Sequence, residues 1–178
     1  HYALPVFVDI DPETYQIDTK KIESAITEKT KGIIPVHFGG NMADMNRIME
    51  IARKYNLKVI EDAAQAHGAF YKNGMSAGGI ADMGIFSFQQ SKNLTSGEGG
   101  AVTTNNEELA NLAWSLRHYG REKEGIWYGH FRLGWNLRMS EFQGAILIAQ
   151  LKRLKQQTER RMENYNYFVD LIEEIPGL

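Results

Sequence analysis

Leu57-Lys58-Val59-Ile60-Glu61-Asp62-Ala63-Ala64-Gln65 is the stretch on which the architecture turns. Leu57–Ile60 is a short apolar run with the look of a buried β-strand, and it stops at once on carboxylates and small residues. The same alternation recurs on both sides. Pro5–Ile10 reads as a β-rich run, and Asp18 stands at an N-cap position ahead of Ile22, Ala25 and Ile26 at helical spacing. Gly32–Phe38 reads as a second strand ending at Gly39-Gly40. Asp44 then caps a helix whose Met45, Ile48, Met49, Ile51 and Ala52 form one stripe. Gly84–Phe88 and Gly100–Thr104 read as two further strands, and Asn106 caps a helix running to about Arg117. Strands separated by helices of this length imply βαβ units. The expected fold class is α/β: a three-layer α/β/α arrangement with a mostly parallel sheet and helices on both faces.

Residues 119–138 break the pattern. They are rich in Gly, Tyr, Trp and Arg and show no periodicity, and a loop this long in a compact domain is usually functional or at an interface. Helical spacing resumes at Ser140, with Phe142, Ala145, Ile146, Ala149 and Leu154. It continues through Tyr165, Phe168 and Ile172 toward Pro176-Gly177.

The bulk properties narrow the function classes. The 178 residues include no cysteine, which excludes a disulfide scaffold and a thiolate metal site and fits a cytoplasmic enzyme. A net charge of −2 offers no basic field for nucleic acid. No apolar stretch approaches the roughly 20 residues of a membrane helix. His1 leads directly into a strand-like run, and domains rarely begin in mid-sheet, so the chain reads as cut from something longer.

In a parallel α/β sheet ligands collect at the carboxyl ends of the strands. Three such ends carry unusual polar residues: Val36-His37 with Gly39-Gly40, Asp62 with Gln65 and His67, and Ser87 through Lys92. A carboxylate at the end of a buried strand needs a partner. Asp62 is therefore either a cap or structural ion pair, or it faces a cationic ligand atom such as a protonated pyridine nitrogen. Most lysines are solvated. Lys92, however, follows a buried-looking strand, where desolvation makes an amine nucleophilic, and Gly97-Glu98-Gly99-Gly100 follows it with turns open only to glycine. Ser87 is either a strand hydroxyl or a holder of a phosphate oxygen. The residues alone define a ligand site with a lysine, a carboxylate and a serine; they do not name the ligand. No Gly-x-Gly-x-x-Gly follows a strand, which argues against a Rossmann dehydrogenase.

At these residues the sequence resembles the DegT/DnrJ-type sugar aminotransferases, a branch of the fold type I pyridoxal phosphate (PLP) enzymes. The resemblance runs in order through Pro5–Asp11, Pro35–Met45, Glu61–Ala69, Phe86–Ala101 and Leu133–Glu141, nearly the whole chain. It implies that Lys92 is the Schiff-base lysine, which also shuttles the proton between the substrate Cα and the cofactor. Asp62 would pair with the pyridine nitrogen, Gln65 would bond near the 3-hydroxyl, and Ser87 would bind the phosphate. Asn136 would reach the phosphate of a neighbouring subunit's cofactor, so that a homodimer shares its active sites. His37 and His67 are expected to be structural. Similar proteins with histidine in place of the lysine perform dehydration, so Lys92 favours transamination; Gln89 departs from the His that many members carry.

The implied function is transamination of a nucleotide-linked keto-sugar with glutamate as amino donor, in cell-surface polysaccharide or amino-sugar biosynthesis. Residues 1–151 would be the PLP-binding large domain without the family's N-terminal segment, and 152–178 a connecting helix toward a small domain. The family's Gly/Ser/Thr phosphate loop is missing from these residues. The alternative expectation is thus a truncated, non-catalytic relative that keeps the fold and dimerises. Tyr165, Phe168 and Ile172 are expected either in a dimer interface or on an exposed apolar patch.

Overall fold

The computed structural model describes residues 2–173, 175 and 177. His1 and the expected helix end at Pro176 lie outside them. In chain order the elements are α1 (Thr19–Ala25), β1 (Gly32–Ile33), α2 (Met45–Tyr55), β2 (Lys58–Asp62), β3 (Met83–Ser87), β4 (Gly100–Thr103), α3 (Glu107–Arg117) and α4 (Glu141–Ile172), with a single 3-10 turn at Phe38–Gly40. The sheet order is β1-β2-β3-β4. β1, β2 and β3 run parallel, whereas β4 returns antiparallel to β3, pairing Ser87 with Gly100. The sheet is therefore mostly parallel. Its antiparallel edge follows from the connection: β3 is joined to β4 by a loop with no crossover helix, and a parallel return needs such a crossover.

The helix starts agree with the capping chemistry. Asp18 accepts from the Lys20 N–H, Asp44 from the Arg47 N–H and Asn106 from the Leu109 N–H. Ser140 opens α4 with a full capping box, its hydroxyl and the Gln143 side chain each bonding the other's backbone. Asn56 ends α2 in the left-handed region at φ 52°.

Two strands depart from the sequence expectation. Pro5–Ile10 forms no strand; Ile10 alone bridges Ile17, and Phe7 is 91% exposed. Among the described residues no strand lies beside it, and β propensity without a partner is weak. The expected Gly32–Phe38 strand is regular only over Gly32–Ile33. Pro35 has no N–H to give, so the ladder thins there, but pairing persists: Asp62 N–H donates to the Pro35 carbonyl and His37 N–H to the Asp62 carbonyl.

Alternation along each strand sorts the sheet into two faces. Ile33, Pro35 and His37, then Val59 and Glu61, then Gly84 point to one face. α1 and α2 pack there, around Ile22, Met45, Ile48, Ile51 and Val59. The other face carries Ile34, Val36, Ile60, Asp62, Ile85, Ser87 and Val102, and it is open: Ile34 is 61% exposed and Val102 52%. Gly84 makes the inward face close-packed. A Cβ there would collide with the Cα and carbonyl of Gly78 and approach Thr103 Oγ1 to 2.7 Å. Gly84→Ala is expected to cost about 1–3 kcal/mol by overpacking, read as a lower thermal midpoint; an unchanged midpoint would mean that the Gly78 turn yields freely.

α4 is a continuous 32-residue helix, so the boundary expected at residue 151 falls inside it. Leu147 buries against Phe88 and Leu94, while Tyr165 and Phe168 are exposed and Ile172 is half-buried. On this chain the expected apolar group on α4 is thus largely open to solvent. Residues 119–138 contain no helix or strand, as expected; Tyr119 N–H to Trp135 carbonyl, Phe131 N–H to Gly120 carbonyl and a bridge between His118 and Asn136 hold them. Among the described residues no helix is long and apolar enough to cross a membrane.

Candidate active site

The parallel strands β1, β2 and β3 bring their carboxyl ends to one edge. Asp62 pairs with Ile85, so Asp62, Ile85 and Ser87 lie on the same open face, with Asp62 and Ser87 offset by two residues on adjacent strands. Strand spacing and rise put their Cα atoms about 8 Å apart. Asp62 is half-buried; one carboxylate oxygen accepts from the Ala64 N–H at 3.0 Å, and no described cation pairs with it. Ser87 is also half-buried, its hydroxyl accepting from the Gln89 N–H at 3.3 Å. Gln65 is exposed and its Oε1 accepts from the Gly39 N–H at 2.7 Å, which ties the loop after β2 to the glycine turn after β1. Gly39 meets that geometry at φ 65°, a region where a side chain would be strained.

Lys92 sits on a loop that folds back on its own stem. The Phe88 carbonyl accepts from the Ser96 N–H at 3.0 Å and from the Thr95 hydroxyl at 2.9 Å, closing the loop. Inside it, Lys92 N–H donates to the Gln89 carbonyl and Gln89 Oε1 accepts from both the N–H and the hydroxyl of Ser91. The far end is tied to α4: Gln143 Nε2 donates to the Glu98 carbonyl at 2.9 Å. The Lys92 side chain is half-buried, and its amine makes no hydrogen bond or ion pair to any described residue. Asn136 is not joined to this group. It is exposed, accepts from Arg138 Nε at 2.9 Å, and among the described residues has no hydrogen bond to Asp62, Gln65, Ser87 or Lys92.

The buried carboxylate is Glu61, not Asp62. The expectation of a costly buried charge fell one residue too late, because alternation turns Val59 and Glu61 into the packed face and Asp62 out of it. Glu61 is fully buried and accepts from the N–H groups of Gly78, Ile80 and Ala81 at 3.0, 2.7 and 2.8 Å. The fully buried His37 completes the set, its Nε2 3.0 Å from Glu61 Oε2. His37 Nδ1 accepts from the Ala43 N–H, so Nε2 carries the proton and donates to Glu61. Burial pushes the Glu61 carboxyl up. The His37 hydrogen bond and the three backbone amides outweigh it and hold the carboxyl below its usual range. His37 is therefore the satisfied structural histidine expected from sequence. The signal for Glu61 was present: an acidic residue in step with Val59 on a buried strand.

The DegT/DnrJ/EryC1/StrS aminotransferase family model matches residues 2–178. The chain belongs to this family. GDP-perosamine synthase of Caulobacter vibrioides is 44% identical over 159 residues, covering 89% of this chain and 42% of its own. Among solved structures, the aminotransferase from Psychrobacter cryohalolentis is 42% identical with a TM-score of 0.92, over 97% of this chain and 46% of its own. NtdA of Bacillus subtilis, solved with bound cofactor PMP, is 36% identical with a TM-score of 0.88, over 97% of this chain and 39% of its own. The chain spans about half the length of the curated relatives it matches. The fold is that of the PLP fold type I aminotransferases, and aminotransferases of this family use pyridoxal phosphate. The strand-end residues suit such a group: a carboxylate without a cation, a hydroxyl on the same face one strand over, and an amine with no partner.

Proposed function

We propose that this chain carries the PLP-binding half of a sugar aminotransferase active site, acting on a nucleotide-linked keto-sugar with glutamate as amino donor. The observation that carries the reading is Asp62 and Ser87 on one open sheet face, with the half-buried Lys92 on the braced loop that leaves the end of Ser87's own strand. Bound PLP supplies an electron sink that stabilises negative charge at the carbon next to a transferring amine. Asp62 would hold a proton on the ring nitrogen by charge pairing, with one of its oxygens fixed by the Ala64 N–H. The Ser87 hydroxyl, which accepts from the Gln89 N–H, would donate its own proton to the phosphate. Gln65 bonds near the ring hydroxyl from its anchor on Gly39. Lys92 would hold the cofactor through its amine, water leaving as that bond forms, and the freed amine would take and return the proton at the substrate Cα.

Asn136 serves the cofactor phosphate of a second subunit in this reading, which accounts for its separation from the other four residues and makes a homodimer the working form. The nucleotide-linked substrate is supported by the GDP-sugar named for the Caulobacter relative. The setting is cytoplasmic amino-sugar biosynthesis.

The test is chemical trapping. The protein is incubated with PLP, reduced with borohydride, digested and read by mass spectrometry. A phosphopyridoxyl adduct on the Lys92 peptide is expected, with none there in Lys92→Ala. Labelling spread over surface lysines, with Lys92 unmodified, would overturn the assignment.

A further inference from the structure

Gln89 joins the serine and the lysine of the site through three of its own polar groups. Its backbone N–H donates to the Ser87 hydroxyl at 3.3 Å. Its carbonyl accepts from the Lys92 N–H at 3.0 Å, closing a turn over Gln90 and Ser91. Its side-chain oxygen accepts from the Ser91 N–H at 2.8 Å and from the Ser91 hydroxyl at 2.6 Å. A backbone N–H can only donate, so it is the amide oxygen of Gln89, not its nitrogen, that faces Ser91.

The rest of the loop is held by other means. Phe88 packs with Leu94 and Leu147, and its carbonyl accepts from Thr95 and Ser96. Those contacts brace the stem and the far limb of the loop, and none of them reaches its tip. Gln90 and Ser91 are exposed, and among the described residues Gln90, Ser91 and Lys92 hydrogen-bond to no residue but Gln89. A lysine carries its amine on a flexible four-carbon stem, so the backbone from which the stem rises decides where the amine can work. A turn closed by one backbone bond opens readily. Each added hydrogen bond shifts the balance toward the closed form by about two- to tenfold, and the Gln89 side chain adds two.

We propose that Gln89 is a positioning residue for Lys92: its side-chain oxygen locks the 89–92 turn and so fixes where the Lys92 stem rises relative to the Ser87 hydroxyl. The amine and the hydroxyl must meet one cofactor at two places, its aldehyde and its phosphate, and a shift of about 1 Å between them is enough to slow the reaction. The role rests on the function proposed above.

The test compares labelling of Lys92 by PLP with labelling by pyridoxal, which carries the same aldehyde without the phosphate. With either reagent the amine adds to the aldehyde carbon, water leaves, and borohydride delivers hydride to the C=N carbon. The product is read by mass spectrometry as an adduct on the Lys92 peptide. The wild type is expected to label faster with PLP than with pyridoxal. Gln89→Met keeps the side-chain length and removes the acceptor; it is expected to label about tenfold more slowly with PLP and at the wild-type rate with pyridoxal, since only PLP needs the amine and Ser87 at a set spacing. Gln89→Glu keeps an acceptor oxygen at the same reach and is expected to return the PLP rate toward wild type. In the cofactor-free proteins, amide hydrogen exchange over Ser91 and Lys92 is expected to be about tenfold faster in Gln89→Met than in the wild type or Gln89→Glu. A PLP rate in Gln89→Met equal to the wild type overturns the proposal. Equal slowing with both aldehydes gives Gln89 a general structural role and overturns it too. A wild type that labels Lys92 no faster with PLP than with pyridoxal overturns the function proposed above, and this role with it.

Discussion

Glu61→Ala lowers the stability of this protein by about 3–5 kcal/mol, the cost of breaking a buried charged network by deleting one member. The substitution strands the His37 Nε2–H and the N–H groups of Gly78, Ile80 and Ala81 around a fully buried position. Those donors come from the turn after β1 and from the loop before β3, so the loss reaches both neighbours of β2. Urea unfolding checks it; a change within a few tenths of a kcal/mol would mean that the network contributes nothing net. Glu61→Gln keeps one acceptor oxygen but turns an amide donor toward backbone donors, and is expected to cost less, about 1–3 kcal/mol. The network also sets an acid limit. The folded carboxyl titrates below its ordinary value of 4.5, so its stabilisation is complete above the unfolded value and drains away as pH falls through the lower, folded one. The acid limb of stability against pH is expected to be shallower in Glu61→Gln than in the wild type.

Lys92→Ala has the opposite profile. If the proposed function holds, amino transfer is expected to slow by about two to four orders of magnitude, the range over which a positioned proton-transfer group acts. The fold should hardly notice, because the Lys92 side chain makes no hydrogen bond or ion pair to the described residues and its loop is closed by Phe88, Thr95, Ser96 and Gln143 instead. Single-turnover rates and the thermal midpoint, measured on one preparation, separate the two effects. A large fall in midpoint would make Lys92 a structural residue; an unchanged rate would remove it from the chemistry.

These two residues also mark how far the sequence could be read. That Asp62 and Ser87 share one edge of the sheet is legible because each stands near the end of an apolar strand, and a parallel sheet carries such ends to one side. The caps at Asp18, Asp44 and Asn106 are legible because capping is a contact within a few residues. Glu61 was passed over beside Asp62, since the two carboxylates differ only in which face of β2 they meet, and what waits on that face comes from His37 and the 78–81 turn. Pro5–Ile10 departs from its sequence expectation for the same reason: a strand is made by its neighbour, and composition does not say whether one is there.

What the sequence by itself determined is the local grammar: four helix starts, a lysine loop with glycines to turn on, and a mostly parallel sheet whose strands end in polar residues. Each of these depends on residues close along the chain. Only the tertiary structure decided that Glu61 is the carboxylate sealed into the core, that β4 turns back antiparallel, and that His67 lies buried against Phe86 and Phe88. Those facts depend on which groups distant in sequence meet in the low-dielectric interior, where an unmatched charge or polar atom costs most.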